Sequence, residues 1–131
     1  MRDLVVPSDG SVAADRRVRA AAEMAGDAGS VVVVSVLAGS MVDRALPPAE
    51  RGRMRRQAEN EAKAAVASQI ARVAPLGACH VIALFGDVVD DTLLLATNLG
   101  ADAVVMDGDD PFLTGMLANS SLPVVVLPPS G

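Results

Sequence analysis

Five apolar runs rich in β-branched residues, each separated from the next by a segment of helical character, constrain this chain more than any other feature. They cover residues 4–6, 31–37, 81–84, 103–106 and 124–127. Their continuity, with almost no alternating polar positions, is the mark of strands covered on both faces, which is the usual condition of a parallel sheet. The palette agrees. Half the residues are hydrophobic but only Phe85 and Phe112 are aromatic, so the core has to be assembled from Val, Leu, Ile, Ala and Met. At 131 residues the chain has the length of one ordinary domain and needs no second.

The intervening segments read as helices. Between the first two runs, Ala14, Val18, Ala21, Ala22 and Ala25 recur at helical spacing, with Ser11 as a cap and Gly29 as a left-handed stop, predicting a helix over 12–28. A longer helix over 48–73 carries Met54, Ala58, Ala62, Val66 and Ile70 four residues apart and stops before Pro75. Arg55, Glu59 and Lys63 follow one another at one-turn intervals on its exposed side. Residues 38–47 read as a loop. The third helix starts after Gly86, with Asp87 as its cap and Asp90 and Asp91 in its first turn. Val88, Leu95 and Leu99 form its inner line, and Gly100 ends it. A short fourth helix over 112–119 is interrupted by Gly115. Strict strand and helix alternation leads to a doubly wound five-stranded parallel sheet with helices on both faces and a switch point beside the first strand.

Several classes of partner are disfavoured by the bulk numbers. Eleven basic against sixteen acidic residues leave a formal charge of −5, which opposes association with nucleic acid or anionic membranes. Cys79 is a lone cysteine, so no internal disulfide is available, and no Cys/His spacing suggests zinc. No apolar run approaches the ~20 residues of a membrane span. A reducing, cytoplasmic setting is the expectation.

In a doubly wound sheet, ligands bind outside the carboxyl ends of the strands at the switch point. Two segments are expected to meet there: residues 7–10 and residues 107–115. The first turns sharply through Pro7, Ser8, Asp9 and Gly10. The second carries Asp107, Asp109 and Asp110 around Gly108. That acidic cluster reads as a solvated loop, since no downstream Glu completes a calcium loop. The basic set Arg44, Arg51, Arg53, Arg55 and Arg56 reads as the solvated start of the long helix. Cys79 and His80 are neighbours on one strand, so they point to opposite faces and make no dyad. Ser8, Ser11 and Thr114 have no evident base beside them, and no enzyme is expected.

The order and the motifs resemble the universal stress protein family. The resemblance spans nearly the whole chain: Val6-Pro7-Ser8-Asp9-Gly10-Ser11 at the start, the Gly86-Asp87 turn, Gly100-Ala101-Asp102-Ala103-Val104-Val105-Met106, and Leu122-Pro123-Val124-Val125-Val126 near the end. It implies a strand order of 3-2-1-4-5 and a homodimer joined through the Val-rich last strand. It also implies an adenine-nucleotide site formed by Pro7, Ser8, Asp9, Val36, Met106, Gly108 and Gly115. Members that bind ATP are similar to one another in a glycine loop after the fourth strand: a glycine, two residues, a glycine, nine residues, then glycine and Ser or Thr. Such glycines let backbone N–H groups approach phosphate oxygens.

This chain departs from that pattern. Aligned directly after Met106, the first two glycine positions fall on Asp107 and Asp110; shifted by one, they fall on Gly108 and Pro111. Gly115 is followed by Met116, so the distal pair is missing as well. Sixteen residues between Met106 and Pro123 leave room for only a truncated last helix. Three carboxylates facing a triphosphate would repel it. The expectation is therefore a regulatory or adaptor module of the stress response that holds no ATP and acts through an unidentified protein partner. The alternative is a sensor of AMP, ADP or another adenosine compound at the first and fourth strand ends. Phosphotransfer through a serine is a third, weaker reading. Asp9 stays open between accepting from an adenine amino or ribose hydroxyl group and ordering its own turn; Gly108 reads as a turn glycine.

Overall fold

The computed structural model describes residues 2–38 and 46–129. The loop expected over 38–47, with Gly39 and Ser40, lies largely outside them, as does Arg44.

Five parallel strands form one sheet in the order β3-β2-β1-β4-β5, where β1 is Asp3–Pro7, β2 Ser30–Leu37, β3 Cys79–Phe85, β4 Ala103–Asp107 and β5 Val124–Leu127. Each β-branched run forms its strand, and most strands extend beyond the run, because parallel pairing continues past the apolar residues. Asp3 pairs Ser30, Leu37 pairs Phe85, and Asp107 pairs Leu127.

Period-two alternation sends the two faces of the sheet to two cores. Leu4, Val6, Val31, Val33, Ala103 and Val105 face α1 (Asp15–Ala25) and α2 (Pro48–Val73), meeting Val18, Ala21, Ala25 and Val66. Val5, Val34, Val104 and Met106 face α3 (Val88–Asn98) and α4 (Leu113–Asn119), meeting Ala96 and Met116. Burying each valine completely contributes about 1.5–3 kcal/mol, so central β1 and β4 carry much of the cohesion. The outer strands β3 and β5 are half-buried, and Val126 on β5 is 42% exposed.

Four local expectations are corrected. The first helix does not run to residue 28: it ends at Ala25, with Gly26 taking the positive φ of 63°. Gly29 is needed for space rather than handedness, since a Cβ there would meet the Arg2 carbonyl. Nor does Ser11 cap the helix, which opens through a 3-10 turn, Val12–Ala14. On α3 the cap is as expected, with Asp87 accepting from the Asp90 amide at 2.9 Å. Its inner line differs, because Leu99 is 49% exposed while Thr92 and Ala96 are buried. Seven residues of α4 leave the outer part of that face thinly covered.

Candidate functional site

The first strand–helix junction is bolted to α2. Pro7 and Ser8 are buried, and the Ser8 amide donates to the Val34 carbonyl at 2.9 Å, continuing the β1–β2 ladder. Gly10 then turns the chain at φ 81°, and a Cβ on it would lie 2.8 Å from the Ala65 backbone of α2. Only glycine permits both that dihedral and that approach. Fully buried Gln69 of α2 accepts from Ser8 Oγ at 2.6 Å. Its Nε2 donates to the Ser11 carbonyl at 2.9 Å and to Asp15 Oδ1 at 3.0 Å, and the same Asp15 oxygen accepts from Arg72 at 2.7 Å. The Gln69 and Arg72 bonds hold the Asp15 carboxyl below the usual carboxylate range.

The second junction, after β4, is closed by an arginine. Arg17 of α1 donates from Nε to Asp107 Oδ2 at 2.9 Å, from Nη2 to Asp110 Oδ2 at 2.7 Å and from Nη1 to the Pro7 carbonyl at 3.1 Å. The three side chains are 12%, 7% and 8% exposed, so the pairs are sheltered from water. This corrects the reading of a solvated acidic loop that would meet a ligand with three unopposed negative charges. Asp107 and Asp110 are drawn inward by Arg17, because two buried carboxylates need a cation within reach.

Backbone donors at both junctions are also engaged. In the second, Gly108 N donates to the Leu127 carbonyl (2.8 Å), Asp110 N to the Asp107 carbonyl (3.2 Å), Phe112 N to Asp110 Oδ1 (2.8 Å) and Leu113 N to the Asp110 carbonyl (3.1 Å). In the first, Gly10 N donates to Ser8 Oγ (3.0 Å) and Ser11 N to Asp9 Oδ1 (2.9 Å). Hydrogen bonding from Ser11 holds the Asp9 carboxyl below its usual range. Asp9 therefore orders its own turn.

Between the junctions lies a cleft of about 340 Å³, at the lower end of the ~300–1,000 Å³ usual for small-molecule sites. Of the residues expected at a site, Pro7, Ser8, Asp9, Val36 and Met106 line it together. Gly108 and Gly115 do not. A Cβ on Gly108 would lie 2.9 Å from the Leu127 carbonyl, and one on Gly115 would lie 3.0 Å from Val89, so these glycines permit close packing of β5 and α3. Val34, Val88 and Phe112 add apolar wall, and Arg17 and Asp110 add the polar end.

Arg17 and Gln69 were missed in the sequence, yet both carry a signal. Arg17 is three residues after buried Ala14 and four before buried Ala21. Gln69 is three after buried Val66. A polar residue on the inward line of a helix needs a partner inside.

The cleft sits between β1 and β4, where the strand order reverses, so the molecule is a doubly wound α/β protein with its ligand-sized opening at the switch point. The family model described as the universal stress protein family matches residues 1–127. The chain belongs to that family. Solved structures of the same fold include the hypothetical protein MJ0577, with a TM-score of 0.81 at 15% identity, covering 99% of this chain and 97% of that one. A universal stress protein from Archaeoglobus fulgidus in complex with dAMP aligns with a TM-score of 0.65 at 20% identity over 96% of this chain and 97% of its own. A universal stress protein in complex with cAMP gives 0.62 at 20% identity over 98% of each chain. No curated protein matches the sequence.

Proposed function

We propose that this universal stress protein is a regulatory or adaptor module that works without ATP. The observation that carries this reading is the spent donor set. Polyphosphate binding needs N–H groups turned toward the ligand. Here the Arg17 guanidinium and the amides of Gly10, Ser11, Gly108, Asp110, Phe112 and Leu113 donate within the protein. This replaces simple like-charge repulsion as the reason for excluding ATP. Calorimetry with Mg-ATP is expected to show no saturable heat; micromolar affinity at one site per chain would overturn the reading.

The module is read as non-enzymatic and cytoplasmic. Ser8, a buried hydroxyl on the cleft wall, donates to Gln69, and no described helix is long and apolar enough to cross a membrane. Its proposed assembly is a homodimer through β5, which ends the sheet with Val126 exposed.

A second reading is favoured by the cleft itself: an adenosine-sized ligand held by Asp9, Val36 and Met106. The dAMP and cAMP complexes of similar folds support it. A thermal shift with adenosine or AMP supports this reading, and silence toward both removes it.

A further inference from the structure

We propose that Arg17 is the specificity-determining residue of the cleft, making it take an uncharged nucleoside and reject the corresponding phosphates. This rests on the second reading above, that the cleft holds an adenosine-sized ligand.

The charged side chains on the lining are Asp9, Arg17 and Asp110, a formal balance of −1. The single cation is the engaged one. All three of its nitrogens donate, two of them in sheltered ion pairs, and Arg17 also lines a second cleft of about 400 Å³ with Asp107 and Asp109. An incoming phosphate competes for the guanidinium with Asp107 and Asp110, and drawing it off Asp110 leaves that carboxylate, 8% exposed, without its cation. The amides of Asp110, Phe112 and Leu113 are likewise used within the loop.

What the cleft does offer is acceptors and apolar surface. Carboxylate oxygens of Asp9 and Asp110 stand beside Val34, Val36, Val88, Met106 and the half-exposed ring of Phe112. That set suits a flat heterocycle bearing amino and hydroxyl donors. A nucleoside has these; its phosphate adds only acceptors and negative charge.

The isosteric Asp110→Asn substitution tests the assignment, because it removes a negative charge and loosens one arm of the latch while keeping the Asx turn to Phe112. Calorimetry on the full chain with adenosine, AMP and ATP should give the order adenosine, AMP, ATP in the wild type. In D110N the preference for adenosine over AMP should fall by roughly tenfold or more, the scale of one charge-assisted hydrogen bond. Wild-type protein that binds AMP at least as tightly as adenosine overturns the proposal, and so does a D110N preference equal to that of the wild type. If the wild type binds none of the three, the cleft reading itself falls. The latch is then read separately from the Arg17 Nε–H resonance during titration with inorganic phosphate. A shift in D110N and none in the wild type is expected; equal behaviour in both proteins counts against an anion-excluding Arg17. Asp107→Asn, which loosens the other arm, provides a second variant should D110N fold poorly.

Discussion

Gln69 shows how one side chain can set a site without touching a ligand. It joins the Ser8 hydroxyl, the Ser11 carbonyl and the Asp15 carboxylate, so it holds both ends of the β1–α1 junction. Gln69→Leu keeps the volume and strands these groups, and is expected to lower stability by about 2–4 kcal/mol in urea denaturation. A loss under half a kcal/mol would mean water replaces the amide at no cost. Acid should act through three other residues. Asp9, Asp15 and Asp102 are held below the ordinary carboxylate range by Ser11, by Gln69 and by the Asp3 and Arg2 amides respectively. Their folded-state values lie below unfolded ones near about 3.9, so their stabilisation is complete above that pH and is lost as pH falls through the folded values. The urea midpoint should therefore drop below about pH 4, and less steeply in D102N than in the wild type; an equal slope would remove Asp102 from the account.

Among the elements, β5 and α4 belong together. A last crossover shortened to a seven-residue helix buries its Met116 in the core beside Leu122 but leaves Val126 half-bare on the sheet edge. Edge strands with exposed valines and free backbone groups invite pairing. V126K places a charge on that edge, and light scattering should report a monomer where the wild type is a dimer. A monomeric wild type would remove the proposed dimer, and a dimeric V126K would move its interface elsewhere. The long helix α2 shows a different economy. Its stripe from Ala58 to Ile70 is narrow, and Arg55, expected beside Glu59 on the exposed side, lies with its guanidinium 4.6 Å from the Phe85 ring centroid. That cation–π contact ties the start of α2 to the end of β3.

At the scale of the whole molecule, stability is graded from the centre outward. Strands β1 and β4 are buried on both faces and paired on both sides, whereas β3 has one pairing partner and no fully buried residue. Amide hydrogen exchange should be slowest in β1 and β4 and clearly faster in β3. Uniform protection across the sheet would show that the domain opens only as a unit. The cleft is lined by the ends of β2, β1 and β4, the three strands paired on both sides, rather than by the sheet edges.

Periodicity and β-branched composition, read along the chain, were enough to place the strands and helices, because both report which face of an element is buried. The resemblance then supplied the 3-2-1-4-5 order, and motif positions brought Pro7, Ser8, Asp9, Val36 and Met106 to one opening. Tertiary structure alone decided the charge of that opening. Asp107 and Asp110 look like free negative charges in the sequence, and Arg17 lies ninety residues from Asp107, a pairing no local pattern encodes. Local spacing specifies which way a side chain faces; which partner waits there depends on strands that meet only when the sheet has formed.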